Sequence, residues 1–308
     1  LSLVLCVGAL AFAVSGAMNA RAVDIHSSAG TRAFTSLKIG VGAAVIGMGE
    51  SGSALSNDAY ATYWNVAGLT RVRRSQVAFM NNAWLLDIRQ NYLAYAQPVG
   101  ETASFSGFLS FMDYGELVGR DDSGTETNTF RPYDLATGIG VAYRVAEGVS
   151  VGVVGKYLRQ QIDDAFAEGV AADLGIAYDV PETNLSLGAS VQHLGTSMTF
   201  DTESYLLPTT IRLGIGYRLL NDDATVALDG IFPADNDARF GVGLAFQPFE
   251  ALTVRGGYRV ELGGNELGAG SGLAGGFGIH FSGITLDYAY VSYGDLGPTN
   301  RVSLVTEF

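Results

Sequence analysis

Three histidines and one cysteine are the scarce reactive groups of this 308-residue chain. His26, His193 and His280 stand far apart, and none has a second His or Cys at the spacing that a metal site needs. They read as isolated structural histidines: His193 closes a strand near an interface, and His280 shares parity with Gly276 and Gly278. Cys6 lies in an apolar leader, so a mature chain would hold no disulfide, no thiolate nucleophile and no Cys-based metal site. No G-x-S-x-G elbow follows a strand and opens a helix. Asp121-Asp122 and Asp163-Asp164 read as solvated loop acids rather than calcium ligands. Gly263-Gly264 and the glycines between 268 and 276 follow no phosphate-binding pattern. The expectation is therefore no catalytic residue, no cofactor and no metal.

The chemistry that remains is non-covalent, and it concentrates in ATYWNVAGL, residues 61–69. Trp64, one of two Trp, brings an indole N–H, Tyr63 a phenol and Asn65 an amide, all without charge. Ser56-Asn57-Asp58 just before it looks like a helix start. Asn57 would cap, Asp58 in the first turn would favour the helix dipole, and Gly68 sits where a helix stop is expected. A short helix rich in aromatic groups needs a surrounding that buries it and partners its N–H and O–H groups.

What surrounds it follows from composition and period. Lys and Arg total 18 against 31 Asp and Glu, a net charge of −13, and no basic cluster suits nucleic acid. The densest basic spot, Arg71, Arg73 and Arg74, reads as a charged edge at a membrane surface. Only 16% of residues are charged and 41 are Gly, where a soluble chain carries about a quarter charged residues. Residues 3–14 are an unbroken apolar run, and Ala20-Arg21-Ala22 offers a cleavage site, so residues 1–22 read as a secretory signal peptide.

From residue 74 onward the apolar residues recur every second position, the period of a strand with two different faces. Ile211, Leu213, Ile215, Tyr217 and Leu219 alternate with Arg212, Gly214, Gly216 and Arg218. The same pattern, tight or loose, covers residues 75–84, 88–98, 102–114, 133–145, 149–162, 170–180, 184–193, 224–231, 240–247, 252–260, 273–281, 284–290 and 298–308. A soluble sandwich would turn Lys and Glu to water; here one face is apolar and the other small or mildly polar. Strands near ten residues with Tyr at their ends fit a tilted crossing of an apolar band about 25 Å tall. Short turns alternate with long polar loops at 120–131, 195–207 and 262–271, which is the habit of outer-membrane barrels. Phe308, a terminal aromatic on an alternating strand, resembles a barrel-assembly signal.

The expected fold is all-β: a transmembrane antiparallel β-barrel of about fourteen strands over residues 74–308, with an N-terminal plug over 23–73 that contains short helical pieces. Eight strands can be filled by their own side chains, but about fourteen leave a lumen. Inward Gly and Ala cannot fill it, so the segment before the first strand must. Asn57, Asp58, Tyr63, Trp64, Asn65 and Gly68 are its expected lumen contacts.

The stretch IGMGESGSALSNDAYATYWNVAGLTRV, followed by WLLDIRQNYLAYAQPVG, resembles the PorV/PorQ family of outer-membrane proteins, itself similar to FadL-type barrels. The resemblance is strong over residues 38–100 and continues beyond them as barrel pattern. Its usual form of the opening motif is close to ATYWNPAGL, and Val66 departs from it. Trp84 and Asp87 at the first hairpin match its Trp-plus-acid feature. The resemblance implies, on the PorV side, a type IX secretion role: protein partners from the translocon or the secreted cargo domains, bound without catalysis. On the FadL side it implies passage of hydrophobic small molecules, for which the apolar Val45, Ile46, Met48 and Leu55 would be suited. A structural subunit of an outer-membrane assembly is a third expectation, and outer-membrane lipid is a partner in all three.

Overall fold

The computed structural model describes residues 26–263, 267–268 and 270–308. The expected signal peptide, the first residues of the expected plug and Gly264 lie outside the described residues. Alternation of lipid-suited and small side chains gives fourteen strands, each paired antiparallel with its neighbours in one closed barrel. They are β1 Gln76–Ala83, β2 Arg89–Val99, β3 Ala103–Asp113, β4 Tyr133–Ala146, β5 Val149–Ile162, β6 Ala165–Asp179 and β7 Leu185–Gly195. The second half comprises β8 Thr210–Leu219, β9 Ala224–Pro233, β10 Arg239–Phe249, β11 Leu252–Glu261, β12 Leu273–Phe281, β13 Ile284–Ser292 and β14 Pro298–Glu307. Every strand pairs with the next in sequence, and β14 closes on β1 in the register Gln76 opposite Glu307 to Ala83 opposite Asn300. Closure leaves no strand edge, which is the condition for a sheet to cross lipid. Among the described residues no helix is long and apolar enough to cross a membrane.

The two faces of the wall separate by parity. On β8, Ile211, Leu213, Ile215 and Tyr217 are all exposed, while Thr210, Arg212, Gly214 and Gly216 are buried. The exposed series is the surface that acyl chains would cover. One rim carries short turns, at 100–102, 147–148, 180–184, 220–223, 250–251 and 282–283. The other carries the long connections, and two of them fold into small hairpins of their own, Leu117–Arg120 with Glu126–Phe130 and Met198–Phe200 with Glu203–Tyr205. The pattern predicts plain loops there. It also starts one strand at residue 170, whereas β6 starts at Ala165. That extension pairs with the end of β5 and carries this hairpin past the membrane band, where alternation with an apolar face is no longer required.

Residues 33–72 form no strand. They fold into four short helical turns, Thr35–Lys38, Ala43–Ile46, Ala61–Trp64 and Val66–Arg71, and most of their residues are buried. None of these turns is long enough to be stable in water by itself, so their shape depends on the wall.

Candidate functional site

Trp64 is fully buried, and its Nε1–H donates to the Val41 carbonyl at 2.8 Å. The Arg212 guanidinium from β8 lies over its ring at 4.8 Å, and Tyr63 meets its edge at 4.9 Å. The Tyr63 hydroxyl donates to the Leu37 carbonyl at 3.1 Å. The backbone of this pair is held by the wall: Gln192 Nε2 donates to the Tyr63 carbonyl, and Ser190 Oγ to the Trp64 carbonyl at 3.3 Å. Both polar tips that burial would penalise are thus satisfied.

Asn65 joins the segment to the wall. Its Nδ2 donates to the Ser53 carbonyl at 2.8 Å and to the Ile176 carbonyl of β6 at 2.9 Å, and its Oδ1 accepts from the Ala67 N–H at 3.2 Å. The last bond makes Asn65, not Asn57, the helix cap, and the turn it caps is Val66–Arg71. Asn57 is exposed and caps nothing; the Ala61–Trp64 turn begins after Tyr60 without a side-chain cap. Asp58 instead accepts from the Tyr60 N–H at 2.9 Å in a local turn. The cap expectation fails because four-residue turns pressed between strands take their shape from the wall rather than from their own ends.

Gly68 likewise ends no helix; it sits inside the Val66–Arg71 turn, where a Cβ would run into the Ser56 carbonyl. A close approach of backbone to backbone, not a stop, requires this glycine. Gly175 on β6 serves the same end across the interface, because a Cβ there would displace the Asn65 amide oxygen. Val66, where the resemblance favours Pro, is buried with its methyl groups against Gly140, Gly152 and Gly175 of β4, β5 and β6.

A second knot holds the turn that follows Ile46. Glu50 pairs with Arg259 of β11 and lies 3.9 Å from Arg212, although it is almost fully buried. Burial pushes its carboxyl up, but the guanidiniums of Arg259, Arg239, Arg212 and Arg301 more than reverse this and hold it below the ordinary range. Ser53 donates its N–H and hydroxyl to Asp229 of β9. Lys38 pairs with Asp235 at 2.5 Å, Ser36 donates to Asp134 of β4, and Ala43 donates its N–H to Ser303 of β14 at 3.0 Å. Residues 33–72 are therefore tied to strands around the whole circumference.

Arg71 departs from the expected membrane edge: it pairs with Asp179 at 2.8 Å and donates to the Ser56 carbonyl at 3.1 Å, while Arg73 and Arg74 are exposed. His193 is also no interface residue. It is fully buried at φ 61°, its N–H bonds Asp173 at 2.8 Å, and its ring lies 3.1 Å from Lys156. The polar lining of the wall buries it because the bulge between β6 and β7 turns it inward. His280 touches Thr253 and Thr285 hydroxyls on the inner face.

The long-loop rim carries the first hairpin. Trp84 packs edge-on to Tyr293 at 5.0 Å with Arg301 over its ring at 5.3 Å, whereas Asp87 is exposed at φ 62°. At the opposite rim the Phe308 N–H donates to the Ser75 carbonyl at 3.0 Å, and its ring is exposed. The interior keeps little free room between these rims. The cavity beside Tyr63, lined by Leu37, Val41, Tyr92 and Phe108 and also by Gln90, Asp134 and Lys156, measures about 20 Å³, space for roughly one water. Larger cavities lie toward the rims, about 340 Å³ on the long-loop side and about 390 Å³ on the short-turn side. The second is lined by Val45, Met48 and Leu55 together with Asp58, Arg255, His280 and Asp287, so those apolar side chains face a chamber of mixed character. Glu50 and its arginines escape sequence reasoning. The inward parity of Arg212 and Arg259 signals them, but their partner lies 209 residues away from Arg259.

The model of a family described as type IX secretion system protein PorV matches residues 24–232. No curated protein sequence matches the chain. Among solved structures, the CymD monoaromatic hydrocarbon channel is similar at a TM-score of 0.61 and 15% identity, covering 87% of this chain and 98% of that one. The Pseudomonas putida toluene transporter TodX gives a TM-score of 0.63 at 14% identity, with 86% and 96% covered. A Pseudomonas aeruginosa FadL homologue gives 0.55 at 10% identity, with 84% and 96% covered. At such identities the likeness is one of fold, and that fold is an outer-membrane barrel.

Proposed function

Because this chain belongs to the PorV family, we propose that it is a non-catalytic barrel that binds or shuttles exported proteins for a type IX-like secretion or attachment system. Its residues 23–73 act as the plug of a barrel formed by residues 74–308, exported behind the signal segment 1–22 into the outer membrane of a Gram-negative-type envelope. The observation that carries this reading is the filled interior. A cavity of about 20 Å³ beside Tyr63 has room for roughly one water, which favours the loops and rim of the long-loop side as the working surfaces. The two loop hairpins and the first hairpin with Trp84 and Asp87 offer polar and apolar groups there, including exposed Leu117, Val118, Tyr205 and Leu206. The partners are the secretion translocon or the shared C-terminal domain of its cargo. Gentle extraction of the native protein from its own membrane, followed by mass spectrometry of what co-purifies, tests this. Enrichment of a large translocon barrel or of cargo with a common C-terminal domain is expected; a partner-free barrel from a host that runs such a system would refute it.

A second reading has one observation in its favour. The solved barrels of similar fold include a monoaromatic hydrocarbon channel and a toluene transporter, and this chain has a cavity on each side of the plug. In that reading the plug shifts to pass a hydrophobic small molecule or lipid. A structural role within a larger outer-membrane assembly would need neither cargo nor solute, and the same co-purification would show its neighbours.

A further inference from the structure

We propose that the cavity on the long-loop side of residues 33–72 is a binding site for a soluble oxyanion, a carboxylate or phosphate group held by Arg239 and Arg259. The charge balance there runs against that of the chain. The whole sequence carries −13, yet Arg212, Arg239, Arg259 and Arg301, from four different strands, converge on the single carboxylate of Glu50. Glu261 is the other carboxylate that acts on Arg239 and Arg259. Lys38 adds nothing to the balance, because Asp235 neutralises it at 2.5 Å. Asp229 acts on Arg212, so four guanidiniums face three carboxylates.

Hydrogen bonding shows the same surplus. Glu50 engages Arg259 directly and Arg212 only at 3.9 Å. Arg239 and Arg301 form no ion pair among the described residues, and the buried N–H groups at Arg239 Nε, Arg301 Nε and Nη2, and Arg212 Nη1 have no acceptor, against two unpaired carboxylate oxygens, Glu50 Oε2 and Asp229 Oδ1. Arg212 and Arg301 are each 1% exposed. An unpaired buried cation is costly unless something neutralises it, and a guanidinium offers a planar donor fork that matches an oxyanion. The space for one is present: the cavity of about 340 Å³ is lined by Glu50, Arg239 and Arg259, with Trp84 and Tyr293 as apolar sides. Arg212 and Arg301 stand behind, on the faces of Trp64 and Trp84.

The site does not depend on the protein-handling reading, and its test uses the isolated full chain. Trp64 and Trp84 are the only two tryptophans, and each carries one of these guanidiniums on its ring, so intrinsic fluorescence reports on the cluster. The protein in non-ionic detergent is titrated with sodium phosphate and, separately, sodium acetate at constant ionic strength. At least one should give a saturable change, and the tighter of the two identifies the oxyanion. Arg239→Gln should weaken the response about tenfold or more, and Glu50→Gln, which removes the resident competitor, should tighten it. Retained heat-modifiable migration on gels certifies that each variant is folded, and Arg239→Lys, which keeps the charge, should retain part of the affinity if the glutamine variant does not fold. No saturable change with either anion, or an unchanged midpoint in folded Arg239→Gln or Arg239→Lys, overturns the assignment.

Discussion

Glu50 bears on the N-terminal segment out of proportion to its size. It is a buried acid at φ 66°, a backbone conformation that costs a side chain roughly 1–2 kcal/mol, and the ion pair to Arg259 offsets that cost. Glu50→Gln leaves this guanidinium without its charge partner and should lower stability by about 3 kcal/mol, read as a fall in the unfolding temperature in micelles. Because the folded carboxyl lies below its ordinary 4.5, this stabilisation is complete above that value and is lost as pH falls through the lowered one. Asp58 behaves in the opposite sense. Burial, with a smaller push from Asp287, raises its carboxyl from 3.8 to about 6 against the opposing Tyr60 N–H. Folding then favours the protonated form, so its contribution declines as pH rises from 3.8 through about 6. Asp58→Asn keeps the acceptor for Tyr60 and should stabilise the protein at pH 8 by about 1 kcal/mol, given that the side chain is only half-buried. Below pH 4 the variant and the wild type should unfold together; a gain that persists there would contradict this account of Asp58.

At the scale of elements, the strands and the N-terminal segment differ in how legible they are. All fourteen barrel strands can be read from the two-residue period, because lipid on one side and a crowded interior on the other impose it on every strand. The hairpins at Leu117–Arg120 with Glu126–Phe130 and at Met198–Phe200 with Glu203–Tyr205 cannot; the first is largely exposed, and the second buries Met198 against Leu37 and Leu158 in strands of three residues, too short to show a period. Trp64 and Gly68 mark one short helix but not its bounds, since Asn57 looks like a cap and Asn65 is one, and the turns Thr35–Lys38 and Ala43–Ile46 show no local signal. What fixes Asn65 is the Ile176 carbonyl, 111 residues away, and no local pattern encodes that distance. A substitution on the wall should therefore injure the segment. Gly175→Val drives a side chain into the Asn65 amide and should cost about 1–3 kcal/mol, with faster proteolysis within residues 33–72 than in wild type. Equal proteolysis would mean that the Asn65 contact does not anchor the segment.

At the scale of the molecule, a closed sheet is tied to residues 33–72 by bonds from strands on every side. Trp64→Ala removes the largest fully buried side chain, at a cost of about 3–5 kcal/mol, and should raise small-solute leakage in reconstituted vesicles. Leakage equal to wild type in a folded variant would mean that Trp64 does not help close the lumen. On the proposed reading a closed lumen moves function to the long-loop rim, and this is the central claim. Its most direct measurement is the binding of the purified barrel to the isolated C-terminal domain of a protein secreted by the same bacterium. Saturable binding is predicted, abolished when residues 115–131 and 196–207 are replaced by short Gly-Ser turns in a barrel that still folds. A barrel that binds no such domain, and instead carries a hydrophobic small molecule across a bilayer, would contradict it.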